Sequence, residues 1–159
     1  MSEKISLDKI DHKILSRLLV DGRASFSTIA KEVNLTDVAI KKRFERLKRK
    51  SVILSISADL SLRSLGYENP IYIQIRSELN KTKDLIKRLA ELDYIIELSQ
   101  VLGEYNLLAK LVVPSIDSAE KFINHLGTID GIIDIKTQMV LSELKKTNAL
   151  PAFSFQKRL

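Results

Sequence analysis

The side chains best equipped for chemistry lie between residues 25 and 50, in the run SFSTIAKEVNLTDVAIKKRFERLKRK. Its second part holds Lys41, Lys42, Arg43, Arg46, Lys48, Arg49 and Lys50. Cations this close together neutralise phosphates and release the counterions condensed on a nucleic-acid duplex. Just before them, Asp37, Val38 and Ala39 are short, which suits a helix that enters a major groove N-terminus first and meets base edges closely. The competing reading is an ordinary surface helix with a solvated basic face, which a charge run most often is.

Elsewhere chemistry is sparse. The 159 residues include no Cys and two His, His12 and His125, and no pair of histidines or carboxylates has the spacing of metal ligands. No nucleophile–base pair and no phosphate-cradling Gly loop occurs, so neither an enzyme nor a cofactor or metal is expected. His12 reads as a surface or hinge-facing side chain. No apolar stretch is long enough to span a bilayer and no signal peptide is evident, so the expected location is the cytoplasm.

The elements that must position the basic run follow from apolar spacing and caps. Ser25 and Thr36 each precede an apolar-periodic stretch and can cap a helix start. Phe26, Ile29, Ala30 and Val33 give one core-facing stripe, and Ile40, Phe44 and Leu47 another. Between them, Asn34 can take the left-handed conformation that ends a helix, and Leu35 can pack into the angle between the axes. This is helix-turn-helix grammar. Upstream, Leu7, Ile10, Ile14 and Leu18 predict a longer helix that closes the core and ends near Asp21-Gly22, with Gly22 as its cap.

Charge separates this module from the rest. Residues 1 to 52 hold 13 Lys/Arg and 7 Asp/Glu, and residues 53 to 159 hold 13 of each, so the net +6 sits in the first third (13 − 7 = 6; 13 − 13 = 0). A basic module joined to a neutral one is expected when the first meets a polyanion. A membrane surface would also attract it, but these helices lack the broad apolar face with Trp or Phe that interfacial helices use.

From Val52 to Leu60 apolar and polar residues alternate, which predicts a connecting strand leading through SLRSLG into a second module. There Ile71, Ile73 and Ile75 alternate with polar residues. A helical stretch with Leu85, Ile86, Leu89 and Leu92 follows, then a strand from Ile95 to Leu102. After Gly103 the unit recurs: a strand from Leu107 to Val113, a helix with Ile116, Ala119, Phe122, Ile123 and Leu126, and a strand alternating Ile133, Ile135, Thr137, Met139 and Leu141. Two right-handed crossovers place both helices on one face of a four-stranded antiparallel sheet. Among the candidates for the other face, Tyr72, Gln74, Arg76, Ser99, Lys136 and Gln138 mix with Leu108, Val112 and Val140, a pattern that predicts self-association. An RNA-binding sheet shares the topology but needs clustered aromatics, which the inner strands lack.

In this order of parts the chain resembles the Lrp/AsnC family, the leucine-responsive or feast/famine transcriptional regulators of bacteria and archaea, and in particular the archaeal type. The resemblance covers nearly the whole chain. It rests on Leu7-Asp8-x-x-Asp11-x-x-Ile14-Leu15, on Ile29-Ala30, on Val38 with Arg43 and Leu47, on the arm ending Leu65-Gly66-Tyr67, and on the turn Gly103-Glu104-Tyr105-Asn106. It implies a homodimer built through the C-terminal sheets, further assembled into tetramers or octamers, and an amino-acid effector bound to the C-terminal module between dimers. The family's turn has Gly-x-Tyr/Phe-Asp. Asn106 here replaces a carboxylate by an amide and removes a charge that could pair with an α-ammonium. Without the resemblance, Gly103 reads as a hairpin glycine and Tyr105 as a strand-end aromatic.

The expected fold is therefore α+β: an N-terminal three-helix, winged-type helix-turn-helix domain (1–52), a connecting strand or hinge (53–66), a ferredoxin-like βαββαβ domain (67–147) and a C-terminal tail (148–159). The tail's Phe153 and Phe155 suit an arm on a neighbouring subunit or a disordered end alike. The expected DNA-binding set is Ser25, Ser27, Thr36, Asp37, Val38, Ala39, Lys41, Lys42, Arg43 and Arg46, acting on a pseudo-palindromic operator. The expected effector set is Leu102, Gly103, Glu104, Tyr105 and Asn106, with Lys136, Thr137 and Gln138 added by the resemblance. The function expected is a sequence-specific transcriptional regulator. Two rivals stay open: an architectural DNA-binding protein without effector, and an amino-acid-binding regulatory subunit of an enzyme.

Overall fold

The computed structural model describes residues 5–147; the expected tail, 148–159, lies outside them. The described chain divides into two compact units. One holds residues 5–59 with 146 and 147, the other Leu60–Lys145. The division falls after residue 59, within the segment 53–66 read from the sequence as a connecting strand or hinge.

The first unit has three helices, α1 (Lys9–Val20), α2 (Phe26–Glu32) and α3 (Asp37–Arg49). Ser25 and Thr36 cap α2 and α3 as the sequence predicts, each side-chain oxygen accepting from the backbone N–H three residues on. α1 starts with a reciprocal capping box: Asp8 accepts from the Asp11 amide and Asp11 from the Asp8 amide. Asn34 takes the left-handed conformation, with φ 53°. The core is small: Ile14, Ile29, Ala30, Ile40 and Leu47 are buried, with Phe26, Val33, Val52 and Ile53 among the half-buried residues around them. The Phe26 and Phe44 rings meet at 5.2 Å.

Four details differ from expectation. The C-cap of α1 is Asp21 in an extended conformation. Gly22 is needed instead because a Cβ there would lie 2.8 Å from the Ile56 Cγ2 methyl. Leu35 stays exposed, its amide donating to the Ala30 carbonyl, so the sharp turn is made by the backbone rather than by an apolar wedge. After α3 the chain turns through Ser51 (φ 54°) and returns Val52 and Ile53 to the helical core in place of a hairpin wing. The alternating stretch from 52 to 60 pairs with no strand among the described residues. Alternation makes a two-faced strand only where a neighbouring strand supplies hydrogen-bond partners, and Leu54 and Leu60 remain exposed.

The second unit is the expected βαββαβ sandwich. β1 (Ile71–Ser77), α4 (Thr82–Ala90), β2 (Ile95–Gln100), β3 (Leu107–Leu111), α5 (Ile116–Gly127) and β4 (Ile132–Met139) follow in order. The antiparallel sheet runs β2-β3-β1-β4. Ile71, Ile73 and Ile75 pair with Leu111, Ala109 and Leu107. Cross-strand partners share a face, and this face buries all six together with Leu85 and Leu89 of α4 and Ala119, Phe122 and Leu126 of α5.

Two alternations break here. A bulge between Arg76 and Ser77 opposite β4 lets Ile132 and Ile135 pack on the core and leaves Ile133 exposed. The open face is also more polar than expected. Val112 is buried, whereas Tyr72, Gln74, Arg76, Leu108 and Lys110 are half-buried and Lys136 and Gln138 exposed.

Candidate nucleic-acid interface and ligand loop

α3 carries its cations in two settings, paired and open. Ala39, Arg43, Arg46 and Lys50 recur at spacings of four, three and four, and lie along one side of the helix. Arg43 Nη1 meets Asp8 Oδ2 at 2.6 Å and Asp11 Oδ1 at 3.0 Å, and Arg46 Nη2 meets Asp11 Oδ2. Asp11 is 1% exposed, while its two arginines keep 27% and 42% of their side chains in solvent. Hydrogen bonding to Asp8 raises the Arg43 pKa above its ordinary value. Partial burial would raise that of Asp8, but the Asp11 amide and Arg43 outweigh it and hold the carboxyl below the usual range.

The flank that carries Val38, Lys41 and Lys42 is open. Val38 is 63% exposed, and Lys41 and Lys42 are exposed and form no ion pair with a described residue. Thr36 and Asp37 are exposed beside them and Ala39 is half-buried. Ser25 and Ser27 are exposed at the start of α2, their hydroxyls 3.1 Å apart. The expected DNA-binding residues thus fall into an accessible set and an engaged pair, Arg43 and Arg46. Sequence reasoning missed the partners, Asp8 and Asp11. Their three-residue spacing before an apolar run was the available signal, since it is that of a capping box.

The loop after β2 places its residues in two directions. Gly103 has φ 150°, and a Cβ there would make only ordinary contact with the Tyr105 carbonyl oxygen at 3.8 Å, so it is required by a backbone conformation that side chains rarely adopt. Leu102 is fully exposed. Glu104 reaches Arg76 at 3.5 Å. The Tyr105 hydroxyl donates to Asp134, and Lys136 Nζ stands 4.2 Å from the Tyr105 ring centre. The bond to Asp134 pushes the Tyr105 phenol above its ordinary pKa, and the same bond holds Asp134 below its own.

Asn106 turns away from this cluster. Its Oδ1 accepts from the Ser77 amide at 2.9 Å, and its Nδ2 donates to Ser77 Oγ at 2.9 Å and approaches Thr82 Oγ1 at 3.4 Å. The amide joins the end of β1 to the start of α4, and an aspartate here would lose the donor half of that arrangement. Thr137 and Gln138 are exposed on β4. Thr137 shares the helix-facing side with Ile73 and borders an apolar groove with Met139 and Ile116, so of the three expected β4 residues Lys136 is the one against the loop, at the Tyr105 ring. Arg76 and Asp134, opposite each other across β1 and β4, were not among the expected loop residues. Only the strand register reveals them.

Residues 7–48 match the AsnC-type helix-turn-helix domain and residues 71–150 the Lrp/AsnC ligand binding domain. The chain belongs to the Lrp/AsnC family. An uncharacterised HTH-type transcriptional regulator of Pyrococcus abyssi is 33% identical over 146 residues, covering 91% of this chain and 92% of its own. The HTH-type transcriptional regulator Ptr1 of Methanocaldococcus jannaschii is 30% identical over 146 residues, covering 91% and 99%. Among solved structures, AsnC of E. coli superposes with a TM-score of 0.85 at 27% identity over 92% of this chain and all of its own. A Neisseria meningitidis regulator in complex with L-methionine shares the fold, with a TM-score of 0.84 at 23% identity over 92% and 97%. Membership makes this Lrp/AsnC protein a helix-turn-helix transcriptional regulator with a ligand-binding second domain. No helix among the described residues is long and apolar enough to cross a membrane, and no described group of three or more His, Cys, Asp or Glu could hold a metal ion.

Proposed function

We propose that this regulator reads double-stranded DNA with the first turns of α3, as a symmetric dimer on a pseudo-palindromic site, and that a free amino acid modulates it. The observation that carries the reading is the accessible end of α3. Val38, an apolar side chain suited to a thymine methyl, stands beside Lys41 and Lys42, two cations with no ion-pair partner among the described residues. Ser25 and Ser27 supply hydroxyl donors for a backbone phosphate, while Thr36 and Asp37 flank the base-reading turn. The second unit is the dimeriser, in keeping with a half-exposed Ile96 on the edge strand β2 and a fully exposed Leu102 just after it. Assembly beyond the dimer, to four or eight subunits, uses the same unit.

The effector site is the loop cluster of Leu102, Gly103, Glu104 and Tyr105 with Lys136. Glu104 offers a carboxylate to an α-ammonium and Lys136 an ammonium to an α-carboxylate. The Neisseria complex with L-methionine supports an amino acid as the ligand class. Modulation is linkage: the ligand shifts DNA affinity only by its differential affinity for two assemblies or two spacings of the reading units.

The test is a salt titration of binding to a duplex selected from a random pool. Lys41→Ala and Lys42→Ala should each weaken binding and reduce the slope of log affinity against log salt by about one. A salt-independent affinity that neither substitution alters would end the DNA reading. Thermal shift against single amino acids tests the effector, since a ligand of the native state raises the melting temperature with concentration.

A further inference from the structure

We infer that Asp11 is the positioning residue of the DNA-reading helix, and that Arg43 and Arg46 act through it rather than on DNA. The inference rests on the DNA reading above. Asp11 has both carboxylate oxygens engaged: Oδ1 by Arg43 at 3.0 Å, Oδ2 by Arg46 and by the Asp8 amide at 3.2 Å. One side chain on α1 therefore fixes its own helix start and two successive turns of α3. The cluster has no net charge to offer a phosphate, since Arg43 and Arg46 face Asp8 and Asp11 (2 − 2 = 0). Were Arg46 to leave for a phosphate, it would strip a partner from a carboxylate that is 1% exposed, and a buried charge short of partners is strongly unfavourable.

The apolar contacts between α1 and α3 alone leave much freedom in how α3 rotates. The buried members of this core are one residue of α1, two of α2 and two of α3. Directional ion pairs remove that freedom, because a guanidinium binds a carboxylate in a defined plane. With α3 held this way, Val38, Lys41 and Lys42 project on the side turned away from Arg43, with Arg46 at its border, one turn after Lys42. Base contacts need that fixed presentation more than phosphate contacts do.

The experiment uses the full chain with Arg46→Gln, Arg46→Ala and Asp11→Asn, each checked for unchanged helix content by circular dichroism. Affinity is measured across a salt series for the selected duplex and for a scrambled duplex of equal composition. The expected result is a salt slope equal to wild type, with discrimination between the duplexes reduced about tenfold, the scale of one lost base contact. Arg46→Gln keeps a donor for Asp11 and should recover part of that loss. A slope reduced by about 0.9 in both Arg46 variants would make Arg46 a phosphate contact and overturn the inference. Unchanged discrimination in all three folded variants would overturn it equally. Lys42→Ala, run in parallel, separates this from failure of the DNA reading, because there the slope must fall.

Discussion

The two units of this regulator reach order by different means. The βαββαβ unit buries twelve residues in one apolar cluster under a four-stranded sheet. The helix-turn-helix unit buries five among its described residues and adds ion pairs between helices: Arg43 and Arg46 of α3 on Asp8 and Asp11, and Lys13 and Arg17 of α1 on Glu32 of α2. A small unit cannot remove much apolar surface from water. Directional charge pairs then set the angles between its helices, at the cost of sensitivity to pH and salt. In the second unit pairs such as Lys81 with Asp130 and Lys87 with Asp84 are solvent-exposed, and the core sets the geometry.

Core truncation should give the largest effects and the sharpest contrast. Ile14 and Ile73 are both fully buried, so each change to Ala removes about 2–5 kcal/mol. In the second unit the remaining cluster should hold the sheet together. In the first, Ile14 is the only apolar residue of α1 that is fully buried, and its loss should release the whole unit. Amide hydrogen exchange, read separately for the two units, checks this. Comparable residual protection in both variants would show that the difference in core size does not matter.

What the sequence made legible follows the same division. Local chemistry was readable: the caps Ser25 and Thr36 and the left-handed Asn34 are decided by neighbouring atoms, and all three stand where the residue types place them. The βαββαβ order was readable too, because Ile71, Ile73 and Ile75 can satisfy only a strand buried on one side. Properties set by distant residues were not readable. Pairing of Arg43 with Asp8 joins positions 35 apart. The inward turn of Asn106 depends on Ser77 and Thr82. The bulge opposite Arg76 and Ser77 exchanges Ile133 for Ile132 in the core, and no single-strand pattern encodes a bulge. The stretch from 52 to 60 has a strand's pattern without a strand's partner, since alternation describes a face and not a ladder.

Helix capping offers a milder comparison, with equal chemistry in unequal settings. Thr36 caps α3 and Ser115 caps α5, each accepting from an amide three residues on. Replacing either by Ala should destabilise by about 1 kcal/mol. The consequences should differ. Fraying the start of α3 disorders Val38, Lys41 and Lys42, so Thr36→Ala should weaken DNA binding several-fold beyond its effect on folding. Ser115→Ala should leave DNA affinity at its wild-type value while lowering the stability of its own unit by the same amount. Equal DNA affinities for the two variants would detach the first turn of α3 from recognition.

The smallest expected effect is that of acid, and its order between the units is the informative part. Glu32 is held below the usual carboxylate range by hydrogen bonds from Arg17 and Lys13, and Asp130 by Lys81. A carboxyl whose folded pKa is depressed contributes stability that is present above its unfolded pKa, about 4, and is lost as pH falls through the lower folded value. Both groups lie where water screens them, so neither loss is large. They bridge different things, however. Glu32 joins α2 to α1 across fifteen positions, whereas Asp130 ties one loop to the start of α4. Asp8, also held below its ordinary pKa, releases Arg43 when it takes up a proton. As pH falls below about 4, helix–helix contacts in the first unit should loosen before the sheet of the second does. Hydrogen exchange at stepwise lower pH, corrected for intrinsic rates, should show α1 and α3 losing protection first. If β1 and β3 lose protection at the same pH or earlier, charge pairs do not substitute for core in the smaller unit.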